Sequence, residues 1–316
     1  VLGDNGIIQW LYTRGIEASE AMPLLLFIGI GAMIDFGPLL SNPKLLLFGA
    51  AAQVGIFLTI LVATLFFPIN IAASIGVIGA ADGPTSILVA ERLIILENEK
   101  AIKGAIMVVA YSYMALVPLI QTAAIKLVTT KKERMIHMPY ESKSVSKRTR
   151  ILFPIIVTVV AGLISAQSVA LVGFLMFGNL IRECGVLNNL TDTANKTLAN
   201  LVTLLLGITI AFNLKAEEFI SVNTLIVMGL GLLAFVFDTV GGVLFAKFLN
   251  LFLKNKINPM IGAAGISAFP MSARVVQKMG QQADNQNHLL MHAVGANVSG
   301  QIASVIAGGF ILSFFL

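Results

Sequence analysis

The feature that most constrains this chain is a series of long apolar segments separated by very few charged residues. A transmembrane helix needs about 20 consecutive apolar residues, and segments of this kind fill most of the 316 residues. Hydrophobic residues make up 57% of the chain and charged residues 12%, with a mean hydropathy of +0.90. These values lie far outside those of soluble domains. The sequence therefore predicts an all-α polytopic membrane protein, with about nine to eleven transmembrane helices.

Two of the apolar segments are interrupted by Gly, Pro and polar residues, namely 70–96 and 258–278. The full set lies near residues 22–40, 44–67, 70–96, 104–128, 150–166, 168–182, 197–213, 222–253, 258–278 and 288–316. The first residue is Val, and no charged stretch precedes an apolar run, so we expect no signal peptide and allow for a helix upstream. A lone cysteine, Cys184, excludes an internal disulfide.

One strongly polar tract, residues 129–150, divides the chain. It carries seven Lys or Arg residues against Glu133 and Glu141, and the positive-inside rule places it in the cytoplasm. We therefore predict an N-terminal membrane repeat at 1–128, a basic cytoplasmic loop, and a C-terminal membrane repeat at 151–316. The loop could also dock an acidic partner or lipid head groups. No basic motif interleaved with aromatic residues is present, so no nucleic-acid partner is expected.

The two halves contain similar stretches in the same order. The pairs are FIGIGAMIDFG (27–37) with GFLMFGNLIRECG (173–185), and IGAADGPTS (78–86) with IGAAGISAFPMSAR (261–274). Paired segments broken by Gly or Pro are typical of transporters built from inverted repeats, which bind their ion where the broken helices meet. The predicted segments give opposite orientations to Gly31 and Gly178.

Inversion of the two IGAA segments requires a further turn within the chain. With the basic loop inside, segment 222–253 would have to cross the membrane twice and turn near Asp238 and Thr239. That topology would leave Lys254 and Lys256 outside.

Asp82 is the strongest candidate for an ion site. A broken helix leaves backbone groups without partners, which a bilayer tolerates only where protein or water supplies them. Free carbonyls and an intramembrane carboxylate are hard oxygen ligands suited to Na⁺ or H⁺. The alternative is that Asp82 caps the following half-helix. Polar or helix-breaking residues of the second interrupted segment are Asn258, Pro259, Gly262, Gly265, Ser267 and Pro270.

Other polar residues carry weaker hypotheses. His288 and His292 have the i, i+4 spacing of helical metal ligands, but no third ligand is near in sequence. Asp35 is predicted at a capped helix end, and Asp238 at a turn or facing the bundle, and either could line an ion path. The chain has neither a GxSxG nor a GxxxxGK[ST] motif, so neither a serine hydrolase nor an ATP-driven pump is indicated.

Several stretches resemble the β subunits of the biotin-dependent, sodium-translocating decarboxylases, a family with oxaloacetate, methylmalonyl-CoA, glutaconyl-CoA and malonate types. They are GAMIDFGPLLSNPKLLLFGAAAQ from Gly31, GAADGPTS from Gly79, AYSYMALVPLIQ from Ala110, NPMIGAAGISAFPMSARV from Asn258 and LLMHAVGANVSG from Leu289. Together they cover most of the chain in the order found in that family.

The resemblance implies a coupled reaction. In that family a carboxyltransferase passes CO₂ to biotin on a carrier protein. The β subunit then decarboxylates carboxybiotin, consumes a cytoplasmic proton and exports Na⁺. The implied partners are a carboxyltransferase subunit, a biotin carrier protein and a small membrane-anchor subunit. The implied location is the inner membrane of a bacterium, in an oligomeric complex.

The resemblance also assigns roles to individual residues. Asp82 becomes a Na⁺ ligand that alternates with a proton, and Tyr113 helps to deliver that proton. Arg274 becomes a partner for the carboxylate of carboxybiotin. The implied second site falls on Asn258, Gly262, Ser267 and Arg274, with a further polar residue at Asn297, and its oxygen-bearing members Asn258, Gly262, Ser267 and Asn297 are the implied Na⁺ ligands beside Asp82.

Some alternatives remain open. Tyr113 and Tyr111 could be interfacial anchors, and Arg274 could pair with a carboxylate or extend to the membrane surface. The interrupted repeats alone would equally support a secondary transporter, such as a Na⁺/H⁺ antiporter or a Na⁺/organic-anion symporter. A structural scaffold is disfavoured, because it would have no use for Asp82 beside two helix breakers.

Overall fold

The computed structural model describes residues 6–96, 99–139, 144–212 and 221–315, and these residues form helices and connecting segments with no β-strand. The α-helices are α1 Ile7–Tyr12, α2 Ala21–Met33, α3 Gly37–Ser41, α4 Leu46–Ala52, α5 Val54–Ala63, α6 Ile69–Gly76, α7 Gly83–Leu93, α8 Lys100–Val128, α9 Lys131–Arg134, α10 Lys147–Ile164, α11 Ser168–Cys184, α12 Asn188–Asp192, α13 Ala199–Phe212, α14 Val222–Phe252, α15 Met260–Ala263, α16 Met271–Ala283 and α17 Leu290–Phe315. Short 3₁₀ or π segments lie at Thr13–Glu17, Pro43–Leu45, Val77–Ala80 and Thr193–Leu198. The predicted all-α membrane fold is confirmed.

Five helical stretches of the described chain are long and apolar enough to cross a membrane, and a bent pair of helices could supply a sixth. The five are Pro43–Ala63, Lys100–Val128, Asn188–Ala211, Val222–Phe252 and Leu290–Phe315. The bent pair is Ile7–Glu17 with Ala21–Met33, at 69°. The other apolar segments form α10, α11 and the two interrupted segments, whose paths are set by contacts at their ends.

The first interrupted segment is a hairpin that returns to the side from which it entered. Helices α6 and α7 are its two legs, and we call residues 69–93 the first hairpin. The side-chain amide of Asn70, at the start of α6, donates to the carbonyl of Leu93, at the end of α7, over 3.2 Å. Glu91 also accepts a hydrogen bond from Lys103 at the start of α8, over 2.8 Å. The open end of this hairpin therefore lies beside the start of α8.

The second interrupted segment, residues 258–284, opens on the opposite side, and we call it the second hairpin. Asn258 at its start and Asn287 just after its end both donate to the carbonyls of Arg134 and Ile136. Those carbonyls follow the end of α8, which has 29 residues and spans about 44 Å. The two hairpins thus enter from opposite faces of the bundle, as inverted repeats should.

The predicted double crossing of 222–253 is wrong. Helix α14 runs unbroken through Asp238, and Lys247 near its end lies 2.9 Å from Glu133 in the basic loop. The residues that follow, Lys254 and Lys256, are therefore on the loop side and not outside. The extra turn near Asp238 is not needed to invert the two interrupted segments. A hairpin that returns to the side from which it entered does not change the orientation of the helix that follows it.

Small residues let the two halves of the chain pack backbone to backbone. Helices α2 and α11 cross at Gly31 and Gly178, the pair expected at corresponding positions of the repeats. A Cβ atom at Gly31 would collide with the carbonyl of Leu175, and one at Gly178 with the carbonyl of Ile28. Helices in lipid associate through close crossings at small residues, because burial of apolar surface does not drive helix association in an apolar bilayer.

Candidate functional site

The first hairpin is broken at Ala81 and Asp82. The 3₁₀ segment Val77–Ala80 ends at Ala81, whose left-handed φ of 56° stops the helix. Asp82 is extended, and α7 begins at Gly83 with Pro84 in its first turn, where a missing N–H costs nothing. The Asp82 side chain makes no capping hydrogen bond of good geometry to a backbone N–H group of α7. Its carboxylate is bonded instead to the hydroxyl of Thr85, in the first turn of that helix.

Asp82 is buried, with 3% of its surface exposed, among neutral hydrogen-bond donors. Its Oδ2 accepts from the Thr85 hydroxyl at 2.6 Å, and from Gln301 and Ser304 of α17 at 3.5 and 3.4 Å. Within the described ranges no Lys, Arg or His forms an ion pair with this carboxylate. A buried carboxylate costs several kcal/mol unless a cation or a proton compensates it, so this site is suited to hold one.

The second hairpin meets the first at this point. Residues 264–270 are not helical, and within them Ser267 donates both its backbone N–H and its hydroxyl to the carbonyl of Ala80, at 3.1 and 2.5 Å. Asn297 of α17 donates to the carbonyl of Ile266 at 2.6 Å, and its own side-chain oxygen is buried without a hydrogen-bond partner. The two interruptions therefore meet, as predicted, through the contact of Ser267 with Ala80, two residues before Asp82.

One glutamine from α8 and one from α17 each reach the hairpin of the other repeat. Gln301 of α17 contacts Asp82, and Gln121 of α8 donates to the carbonyl of Ala263 and to the hydroxyl of Ser272, at 2.7 and 2.6 Å. The Gln121 side-chain oxygen is buried without a partner. Neither glutamine was predicted as a site residue, although a lone amide in an otherwise apolar span is a signal that could have identified both.

Asn258 and Gly262 do not join the Asp82 cluster. The Asn258 amide donates to the carbonyls of Arg134 and Ile136, each at 2.9 Å, and its oxygen accepts from the Met260 N–H at 3.1 Å. Its hydrogen bonds therefore tie the open end of the second hairpin to the basic loop. Gly262 packs against the backbone of Gly242 in α14, where either Cβ would strike the other residue's carbonyl.

The two tyrosines of α8 have different surroundings. Tyr113 is buried and donates to the carbonyl of Met228 in α14 at 2.6 Å, which contradicts the interfacial-anchor alternative. The ring of Tyr111 lies against Gly83, next to Asp82, and its hydroxyl is buried without a hydrogen-bond partner. Tyr111 is therefore the phenol whose ring lies next to the residue after Asp82, and from the sequence it was considered only as an interfacial anchor.

Arg274 lies on the exposed face of α16, between the hairpin tip and its open end. The exposed residues that share this face are Arg274, Lys278, Gln281 and Gln282. No ion pair or hydrogen bond to the Arg274 side chain occurs among the described residues. A polar, exposed stripe on one leg of a hairpin that opens toward the basic loop is consistent with a water-filled entrance on that side.

Two further acids were considered from the sequence. Asp35 accepts from the Gly37 N–H at 2.8 Å beside Arg150, as expected for a capped helix end. Asp238 is fully buried, and both of its carboxylate oxygens lack a hydrogen-bond partner of good geometry. It lies between the helices, against Gly55 and against Gly79 of the first hairpin. Asp238 therefore faces the bundle and is not at a turn.

Comparison with known proteins places the chain in a family. Residues 2–315 match the family described as Na⁺-transporting oxaloacetate decarboxylase beta subunit. The chain is 51% identical to the methylmalonyl-CoA decarboxylase subunit beta of Propionigenium modestum, over 98% of this chain and 77% of that protein.

Two other relatives agree with this assignment. The oxaloacetate decarboxylase beta chain of Klebsiella pneumoniae is 48% identical over 98% of this chain and 72% of its own length. The glutaconyl-CoA decarboxylase subunit beta of Acidaminococcus fermentans is 47% identical over 98% and 81%. The chain belongs to the beta-subunit family of the Na⁺-transporting decarboxylases and is the multi-pass membrane subunit of a primary Na⁺ pump.

Proposed function

We propose that this subunit decarboxylates carboxybiotin on its cytoplasmic side and uses the reaction to export Na⁺ through the meeting point of the two hairpins. The observation that carries the proposal is the buried Asp82 carboxylate, which faces only neutral donors where the hairpin tips touch. We place the subunit in the inner membrane of a bacterium. Its proposed partners are a carboxyltransferase subunit, a biotin carrier protein and a small membrane-anchor subunit.

The proposed role of the chain is to let Na⁺ and a proton exclude each other at Asp82. Na⁺ enters from the basic-loop side and binds the Asp82 carboxylate. The hydroxyl oxygen of Ser267 and the free side-chain oxygen of Asn297 are the proposed further ligands. A proton arriving from the cytoplasm then neutralises Asp82 and expels the ion. When the N–C bond of carboxybiotin breaks, CO₂ leaves and the biotin nitrogen takes up this proton.

Side chains of this subunit are available both to bind the carboxylate of carboxybiotin and to deliver the proton. Arg274 on α16 is free to meet the carboxylate of carboxybiotin at the cytoplasmic entrance. The Tyr113 hydroxyl is bonded to Met228, so we propose that Tyr113 acts in proton delivery only together with Tyr111, whose ring lies against Gly83 next to Asp82.

Avidin provides the direct test of this function. Avidin sequesters biotin, so adding it to the membrane-reconstituted complex is expected to stop Na⁺ uptake driven by decarboxylation. A secondary transporter of the antiporter or symporter type would continue to move Na⁺ down an imposed ion gradient in the presence of avidin. Na⁺ transport that is unaffected by avidin would contradict the proposal.

Replacing Thr85 with Val is expected to weaken Na⁺ binding while keeping the shape of the side chain. The Thr85 hydroxyl is the shortest hydrogen bond to Asp82, and a hydrogen bond to a charged group contributes about 1.5–3 kcal/mol. We expect the Na⁺ concentration for half-maximal decarboxylation to rise about tenfold or more. The matched control is Thr203→Val, which removes a hydroxyl bonded only to its own helix. Equal Na⁺ requirements in the two variants would contradict the role of Thr85.

Replacing Asn258 with Ala distinguishes an anchor from an ion ligand. The change removes two of the four side-chain hydrogen bonds to the carbonyls of Arg134 and Ile136 and leaves the two from Asn287, so we expect faster tryptic cleavage of the basic loop. If Asn258 is an anchor, the Na⁺ concentration for half-maximal activity changes less than it does in Thr85→Val. Asn188→Ala, at an exposed position, is the control. A large loss of Na⁺ affinity with unchanged proteolysis would instead make Asn258 a Na⁺ ligand.

A further inference from the structure

We propose that a basic pocket at the cytoplasmic end of α14 binds the phosphate head group of an anionic phospholipid. The pocket lies between α9 and the end of α14 and has a cavity volume of about 440 Å³. Its polar lining residues are Lys132, Glu133, Lys247, Asn250 and Lys256. The inference does not depend on the proposed pump chemistry.

The charge of the pocket favours an anion. Glu133 accepts from the Thr130 N–H at 2.7 Å and from Lys247 at 2.9 Å. Burial raises the pKa of Glu133, but these hydrogen bonds outweigh burial and hold the pKa below its ordinary value. Glu133 therefore keeps its charge and its ion pair with Lys247. Lys132 and Lys256 have no ion pair within the described part of the chain. Three ammonium groups therefore surround one carboxylate that is already engaged.

The pocket is held in shape by hydrogen bonds. The side-chain amide of Asn250 donates to the carbonyl of Ile257 and its oxygen accepts from the Ile257 N–H, each at 2.7 Å. This pair of bonds folds the segment after α14 back onto the helix and keeps Lys256 at the pocket. At the other wall, Thr130 and Glu133 form a capping box that fixes α9, which carries Lys132.

The apolar residues next to the lysines identify a lipid as the occupant. Phe248, Leu251 and Phe252 of α14 are 55%, 77% and 74% exposed. Of these three residues Leu251 lines the pocket itself, and the two phenylalanines lie on the same helix as Lys247. Exposed apolar side chains on the helix that carries a pocket lysine match a phosphate with acyl chains attached, whereas a soluble acidic protein would leave them in water. The positive-inside rule puts this face toward the cytoplasmic leaflet, whose anionic lipids bind in basic pockets between transmembrane helices.

The test compares lipid binding by the purified complex in neutral detergent. Native mass spectrometry with added phosphatidylglycerol or phosphatidylcholine measures the bound lipid, and the test variant is Lys132→Gln, Lys247→Gln and Lys256→Gln together. We expect wild-type protein to prefer phosphatidylglycerol. Because each lysine contributes about fivefold to binding an anionic lipid, the triple variant should lose about a hundredfold in affinity.

The matched control removes the same charge from the same side of the membrane. Lys126→Gln, Lys147→Gln and Arg148→Gln together change three exposed basic residues outside the pocket and should keep the preference. Thermal unfolding in phosphatidylcholine verifies that both triple variants fold. Unchanged phosphatidylglycerol binding by the test variant would overturn the proposal. Displacement of the lipid by equimolar inorganic phosphate would also overturn it. So would the finding that the three lysines are needed to bind an acidic protein partner and not to bind the lipid.

Discussion

Replacing Asp82 with Asn is expected to abolish Na⁺-dependent decarboxylation and Na⁺ transport. The amide keeps the size of the side chain but can neither balance the charge of Na⁺ nor exchange a proton. Loss of a buried charge that pairs with a cation costs about 3 kcal/mol or more, so activity should fall by about a hundredfold or more. The measurement is the rate of CO₂ release as a function of Na⁺ concentration in the reconstituted complex.

The matched control for this substitution is Asp192→Asn. Asp192 is 66% exposed and pairs with Lys196 one turn away, so its amide variant should behave as wild type. An Asp82→Asn protein that folds, binds its partners and still requires Na⁺ for decarboxylation would contradict the role of Asp82.

The second large effect is expected at Gly242, where α14 touches the second hairpin. A Cβ at this position would overlap the carbonyl oxygen of Gly262, which is a backbone atom and not the flexible end of a side chain. Overpacking of this kind costs about 1–3 kcal/mol, and overlap with backbone puts Gly242→Ala at the upper end. We expect a markedly lower thermal unfolding temperature and loss of activity.

Gly229→Ala is a control on the same helix. A Cβ at Gly229 meets nothing within 4 Å, so the free energy of unfolding should change by less than about 1 kcal/mol, in the stabilising direction. The reciprocal variant Gly262→Ala should resemble Gly242→Ala. Equal unfolding temperatures for the Gly242 and Gly229 variants would show that the two backbones are not in contact.

The apolar pattern predicted the helices but not their paths. Run length and composition identify segments that can enter a bilayer, and the interruptions at Asp82 and at 264–270 follow from Gly and Pro in those runs. Whether a run crosses or returns depends on what its two ends bind, such as Asn70 with Leu93. Contacts between residues far apart in sequence have no periodic signature, so the inversion was explained by a turn near Asp238 that does not exist.

Only part of the candidate site was predicted, because contacts between residues far apart in sequence also form this site. Asp82 and Ser267 stand in breaks that the sequence displays, and they lie together. Gln121 and Gln301 reach the site across the repeat boundary, from helices that read as ordinary apolar spans. Asn258 was assigned to the site from its place in the second interrupted segment and from the resemblance, and in the structure its amide holds the basic loop.

The most direct test of the central claim is equilibrium binding of radioactive Na⁺ to the purified complex at a series of pH values. If one buried acid holds either the ion or a proton, the apparent Kd for Na⁺ rises as the pH falls, and Asp82→Asn binds no Na⁺ at this site. Na⁺ affinity that does not change with pH, or that survives in Asp82→Asn, would contradict the account.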